Sequence, residues 1–240
     1  MRIIFSRKGF DSSSGGGPSP IVAGRPVSLP IPAGAASCTT YGDLGLGDHA
    51  SRVSRGRLGA GDLCHHDPMF LPDGTCLFGQ CGAAQTHLVN RGVGVGDVFL
   101  FFGLFREDGG DPHHRIYGYL EVEEVVDLTS DVPGHLVERG HPHALALHAG
   151  NDVIYAGGGE QAESASDALR LTVAGGSPSL WNRPAWLARG GLSYHDRPER
   201  WLRGGRLKSV ARGQEFVADI GRRKAPREWL ARVLAEIRAS

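Results

Sequence analysis

The stretch from Arg91 to Val126 constrains the fold more than any other part of the chain. It opens Arg91-Gly-Val-Gly-Val-Gly-Asp and runs at once into Val98-Phe-Leu-Phe-Phe-Gly-Leu-Phe, a glycine-aspartate turn entering a strand that is apolar on both faces. A strand with two apolar faces must be covered on both, so it belongs at the centre of a sheet. The return stretch from Arg115 alternates Ile116, Gly118, Leu120 and Val122 with Tyr117, Tyr119 and Glu121. That is the period of a second strand. The segment between them, Glu107 to His114, is short and rich in Gly, Asp and Pro. An antiparallel pair of Asp97–Phe105 with Arg115–Val126 is therefore predicted.

Around this hairpin the pattern predicts an α+β fold: a mixed, largely antiparallel sheet with short flanking helices. Arg2 to Ser6 reads as a first strand, and Gly9 to Pro20 is too rich in Gly, Ser and Pro to be other than loop. Pro26 to Pro32 is extended, because a residue before proline is pushed out of the helical region, and serves as an edge strand or a lining segment. Short helices are predicted at Asp48–Arg57 and Gly82–Arg91, further strands at Asp152–Ala156, Leu169–Val173 and Glu215–Ile220, and a closing amphipathic helix over Pro226–Ala239. The 36 glycines, about twice the usual share of roughly 7%, imply many tight turns and few long helices. No repeat and no long linker divides the chain, so residues 1–240 are read as one domain.

No apolar run reaches the roughly 18 to 20 residues of a membrane span. Charge follows the first apolar residues immediately, so no signal-peptide core is seen and a cytoplasmic protein without membrane partners is expected. Cys38, Cys64, Cys76 and Cys81 are too few for a disulfide scaffold and read as thiols. Net charge is zero, yet residues 121–182 hold 2 basic and 10 acidic side chains, whereas residues 183–240 hold 14 and 6. Either the acidic middle and the basic tail pack together, or the tail forms a basic face for phosphates.

Three stretches carry chemistry. The run from Ser6 to Gly17 brings Arg7, Lys8, Asp11, Ser12 and Ser13 together with glycines whose amides can approach an anion closely. It is a phosphate cradle or a flexible polar loop; the lysine ahead of the glycines is the wrong order for a P-loop. The second is Cys64-His65-His66-Asp67, with Cys76, Cys81, His87, His113, His114, His141 and His143 elsewhere. Zinc sites favour short paired spacings, and only Cys76 with Cys81 comes near one, so no metal is expected and the histidines read as capping, hydrogen-bonding or acid/base groups. The third is Ser193-Tyr194-His195-Asp196-Arg197, then Trp201 and Arg212-Gly-Gln214-Glu-Phe216. Aromatic faces and guanidinium groups there fit a nucleotide, but Trp201 and Phe216 fit a plain core equally well.

Arg7-Lys-Gly-Phe-Asp-Ser-Ser13, Leu29-Pro-Ile-Pro32, Thr40-Tyr-Gly-Asp-Leu44, Cys64-His-His-Asp-Pro68, Gly96 to Gly103 and Arg212 to Val217 together resemble the nucleotide modification associated domain 3 family, over nearly the whole chain. The hairpin is also similar to the core of PUA-like and ASCH-like barrels, which implies a PUA-like β-barrel as the alternative to the mixed, largely antiparallel sheet. The family resemblance implies that the protein acts on or binds a nucleotide or nucleic-acid base in a polar cleft. Its partners would be a nucleotide or nucleic acid and other base-modification proteins. A non-catalytic reader of modified bases is the alternative, and a structural partner of a modification complex a more distant one. From chemistry and resemblance together, His65, Asp67, Tyr194 and His195 are the catalytic candidates. Arg7, Lys8, Asp11, Ser12, Ser13, Arg212 and Gln214 are the substrate-binding ones. No cofactor is specified. The loops holding Arg7 to Ser14, His65/Asp67 and Tyr194/His195 are expected to converge on one cleft.

Overall fold

The computed structural model describes residues 1–34, 36–210 and 215–239. In chain order the elements are β1 (Arg2–Arg7), β2 (Ser19–Val22), β3 (Arg25–Pro26), α1 (Gly47–Ser54), β4 (Met69–Phe70), β5 (Thr75–Gln80), α2 (Gly82–Asn90), β6 (Val98–Glu107) and β7 (His113–Asp127). There follow α3 (Gly134–Glu138), α4 (Pro142–Leu145), β8 (Val153–Gly158), β9 (Leu180–Asn182), β10 (Trp201–Leu202), β11 (Arg206–Lys208), β12 (Glu215–Asp219) and α5 (Lys224–Arg238).

The main sheet runs β12-β1-β6-β7-β8-β5-β4, and a small sheet, β10-β11-β9, lies apart from it. The predicted hairpin is its centre: β6 and β7 pair antiparallel, with the register shifting between Phe101 and Phe102. Both faces of β6 are covered, as its sequence requires. Val98, Leu100 and Phe102 join the cluster that α5 closes with Leu230, Val233, Leu234 and Ile237. Phe99, Phe101 and Phe105 join Phe78, Tyr117 and Tyr155 on the other side. A second irregularity sits between Val122 and Glu124 where β7 meets β8. Bulges increase twist and bend a strand, and the mixed sheet curls into a half-barrel with five helices among the described residues.

One departure from regular pairing positions the site. β1 runs parallel to β6 as far as Arg7 opposite Phe102, and β2 resumes the same parallel pairing at Ser19 opposite Phe105. The chain between them must therefore leave the sheet from its interior rather than from its edge. Gly103 permits the exit, since a Cβ there would lie 2.8 Å from the Lys8 carbonyl oxygen. The loop of residues 8–18 is thus fixed at both ends by one strand.

The predicted strands at the N-terminus, at Asp152–Ala156 and at Glu215–Ile220 correspond to β1, β8 and β12, and the predicted helices to α1, α2 and α5. Leu169–Val173 is not a strand. Asp167–Leu169 forms a 3-10 turn capped by the Ser166 side chain, which accepts a bond from the Ala168 N–H, and only isolated bridges follow. Of Pro26–Pro32, Pro26 alone is in a strand, and Ile31 lines the cavity described below. The basic tail meets the acidic middle at Arg238, which bonds the Tyr119 hydroxyl and pairs with Glu121 at 2.7 Å. That pair is about half exposed and contributes little, roughly 0–1 kcal/mol.

His114 gives the core a pH dependence. Burial, reinforced by the field of Arg7, lowers its imidazole to about 3, and its Nδ1 accepts a bond from the Trp181 indole N–H at 3.0 Å. Between that value and about 6.5 the unfolded chain takes up a proton that the native state refuses, so stability falls as pH drops through this window. Two units below 6.5, at about pH 4.5, the expected loss from this residue is ~3 kcal/mol. His114→Gln keeps an acceptor for Trp181 and cannot titrate, so its urea midpoint should decline less between pH 7 and 4.5. Equal declines would assign the acid sensitivity to other groups.

Candidate functional site

A cavity of about 510 Å³ opens where the loop after β1 meets the His65/Asp67 loop, the end of β5 and the segment joining α4 to β8. The first wall is Arg7, Lys8, Gly9, Asp11, Ser13 and Ser14. Here the Asp11 carboxylate organises the loop. One oxygen accepts from the Ser13 N–H, the Ser13 hydroxyl and the Ser14 N–H at 2.7–2.8 Å, and the other accepts from Arg7 at 2.8 Å. Burial pushes its acidity down, but those hydrogen bonds and the Arg7 charge outweigh it and leave its pKa below the ordinary value. The glycines that follow are a packing requirement: a Cβ on Gly15 would sit 2.3 Å from the ring of Phe10, which is fully buried beneath the loop.

Lys8 reaches the strand that pairs with β1 on the side away from β6. Its Nζ lies 3.2 Å from Glu215 Oε1 on β12 and 4.2 Å above the Phe78 ring. The same carboxylate oxygen accepts from Gln80 Nε2 at 2.7 Å. The cation is thereby held on the cavity wall by a carboxylate that is itself almost wholly buried.

The opposite wall holds His65, Asp67, Cys81, His143 and His148. Asp67 Oδ1 accepts from the Gly79 N–H at 2.8 Å, so β5 fixes the carboxylate, while Oδ2 stands 3.8 Å from His65 Nε2. Behind it, His141 Nε2 is 3.5 Å from Oδ1, an ion-pair distance rather than an aligned hydrogen bond. Burial would raise the Asp67 pKa, but His141, Lys8 and His65 together hold it below the usual carboxylate range. His143 Nδ1–H donates to Asp152 Oδ1 at 2.5 Å, and Asp152 Oδ2 accepts from the His148 N–H at 2.7 Å. A carboxylate can only accept, so this pairing places the proton on Nδ1 and leaves a lone pair on Nε2. Burial lowers His65 to about 4 against the opposing carboxylate of Asp67, and lowers His143 against Asp67 and Asp152. Both rings are neutral at neutral pH. The Cys81 thiol is pushed up by burial and by Asp152.

The cavity thus brings together Arg7, Lys8, Asp11, Ser13, His65 and Asp67 of the residues singled out in the sequence. Ser12 is not on its wall; with Ser13, Gly15 and Arg57 it lines a neighbouring cleft of about 150 Å³. The third loop does not join. His195 is fully buried, its Nδ1 faces the Ser193 carbonyl oxygen at 2.7 Å, its Nε2 accepts from the Val210 N–H at 3.3 Å, and its ring packs on Phe216. Tyr194 is exposed, with φ +64°, and its ring lies 4.4 Å from that of His87. Neither residue lines the cavity, and their loop packs along β12, where the Ser193 N–H donates to the Val217 carbonyl oxygen and the Val217 N–H donates to the Ser193 hydroxyl. Arg212 and Gln214 lie outside the described residues.

Sequence reasoning did not number Gln80, His143, His148, Asp152 or Glu215 among the candidate site residues, although His143 stood among the histidines named with His65. For three of them a signal existed: His141-Pro-His143 and His148 place three imidazoles in eight residues, four positions ahead of a buried aspartate.

Among the described residues, no helix is long and apolar enough to cross a membrane. No curated protein and no solved structure matches the chain. The family model described as nucleotide modification associated domain 3 matches residues 2–219, which takes in both walls of the cavity and the strands that hold them. The chain belongs to the nucleotide modification associated domain 3 family.

Proposed function

We propose that this protein modifies a nucleotide or nucleic-acid base held in the 510 Å³ cavity, with Arg7 and Lys8 toward phosphate and the His65–Asp67–His143 wall toward the reacting atoms. The observation that carries this reading is the sharing of one volume by anion-binding and reactive groups. Its size suits a small-molecule ligand. The wall opposite the cations presents two neutral imidazoles and a carboxylate with an oxygen that makes no hydrogen bond among the described residues, groups that move protons or hold an ion that polarises water. The family's association with nucleotide modification supports the substrate class.

A reader of modified bases is favoured less, because the rings among the described residues lining the cavity are imidazoles. Readers of unpaired bases stack them on larger aromatic faces.

Calorimetry with mononucleotides and short single-stranded DNA, together with mass spectrometry of the incubated substrate, tests the reading. Arg7→Ala is expected to weaken binding about 10- to 100-fold, the worth of a charge-assisted hydrogen bond. His65→Ala should keep the affinity and lose about 10²–10⁴-fold in product formation. Binding with no mass change in any nucleotide would replace the reading by the reader, and absence of binding would end both.

A further inference from the structure

We propose that His65, Asp67 and His143 bind one divalent transition-metal ion, with Asp152 as the positioning residue behind His143 and the remaining coordination positions open to the cavity. One ligand atom from each of the three residues lies within 4.8 Å of the others, a cage that closes around an ion with small side-chain movements. Two imidazoles and one carboxylate on one side of a cleft are the donors that zinc, iron and manganese take in sites that keep positions for water or substrate.

Three details go beyond proximity. First, Asp152 holds the Nδ1–H of His143, and metal-bound histidines almost always donate their second ring nitrogen to such an acceptor, which aims the first. Asp152 is fully buried and its other oxygen is taken by the His148 amide, so it is built to orient a ring rather than to meet substrate. Second, the two oxygens of Asp67 are differentiated. Oδ1 is held by the Gly79 amide and Oδ2 faces His65, the arrangement of a monodentate ligand whose second oxygen is anchored. Third, His141 is wholly buried beside Asp67 and neither of its ring nitrogens makes a hydrogen bond among the described residues, so the carboxylate keeps a close imidazole neighbour that does not compete for Oδ2.

A second group, Cys81 with His143 and Asp152, also meets the distance condition. It is the weaker claimant, because it would have to take Asp152 away from both the His143 ring and the His148 amide. The spacing of these residues in sequence hides the site, since the ligands come from positions 65, 67 and 143 rather than from one short motif. The bound ion would lower the pKa of a water in the cavity and so supply a nucleophile at neutral pH. The proposal rests on this cavity being the reactive site and is indifferent to which molecule reacts there.

The test uses full-length protein stripped with chelator, then titrated with Zn²⁺ by calorimetry and with Co²⁺ by visible absorption. One ion per chain and d–d bands that report nitrogen and oxygen donors are expected. His65→Ala, on the cavity wall where folding is least at risk, should weaken Zn²⁺ at least ~100-fold, and His143→Ala and Asp67→Asn at least as much. Asp152→Asn should cost about 10- to 100-fold and shift the Co²⁺ bands while leaving one ion per chain. His135→Ala, at an exposed histidine, should change nothing. Circular dichroism of each apo variant identifies any that fail to fold, and those are set aside in favour of His65→Ala. Absence of a Co²⁺ spectrum, or Zn²⁺ affinity unmoved by His65→Ala, overturns the proposal. Ion binding in a protein that takes no nucleotide leaves it standing and removes only the nucleotide reading.

Discussion

Lys8→Met is expected to lower the free energy of unfolding by about 3 kcal/mol and to abolish nucleotide affinity at the cavity, two effects that a second substitution should separate. Lys8 and Glu215 pair at 3.2 Å with 12% and 1% side-chain exposure, so the carboxylate has given up nearly all of its hydration. Removing one member of such a pair leaves a buried charge with an inadequate partner, a loss of about 3–5 kcal/mol. Here the lower end applies, because Gln80 Nε2 still donates to Glu215 Oε1 and methionine keeps apolar bulk over the Phe78 ring. In Lys8→Met/Glu215→Gln the stranded charge is gone and most of the stability should return. The affinity should not, since no cation remains at that point of the wall. Urea unfolding reads the first quantity and calorimetry with a mononucleotide the second. A single variant within 1 kcal/mol of wild type would mean that water reaches Glu215, and a double variant that regains affinity would take Lys8 out of the binding site.

The central hairpin and the loop after β1 were legible because each is specified locally. The period of residues 98–105 and 115–126 determines which faces are buried, and the content of residues 7–14 puts its cations at a strand end whatever the rest of the chain does. The interior exit of that loop was not legible. It depends on β1 and β2 sharing β6, a long-range pairing to which Gly103 contributes only an absent Cβ. Likewise β5 carries no alternation that marks it, yet it supplies the Gly79 amide that fixes Asp67 and the Gln80 amide that steadies Glu215. His65 and Asp67 were found because they are adjacent in sequence and polar. His143 and Asp152 were not, because their roles arise from burial and from each other. Tyr194 and His195 are the reverse case, suggestive residue types away from the cavity lining, with both ring nitrogens of the histidine already partnered.

Gly79→Ala is expected to disable the His65–Asp67–His143 wall while leaving the fold and the cationic wall in place. Gly79 lies within β5, paired with Ile154 of β8, and its φ is not in the left-handed region, so alanine meets no backbone strain there. What it meets is the His143 ring: a Cβ would stand 2.2 Å from Cδ2 and 2.4 Å from Cγ, well inside van der Waals contact. The ring has little room to yield, because its Nδ1–H is tied to Asp152 at 2.5 Å and Asp152 is tied to the His148 amide. Either the ring leaves Asp152 and loses its orientation, or β5 shifts and carries the Gly79 amide off Asp67. Both outcomes misplace a member of the wall, so Zn²⁺ affinity and product formation should each fall about 100-fold or more, with an overpacking loss of about 1–3 kcal/mol in stability. Nucleotide affinity set by Arg7 and Lys8 should change little, which a global collapse could not reproduce. Gly94→Ala, at a position with open space and ordinary φ, is the matched control and should leave all three quantities unmoved. If Gly79→Ala instead keeps ion binding and activity within about twofold of wild type, the ring can move without consequence, and His143 is not a working part of the site.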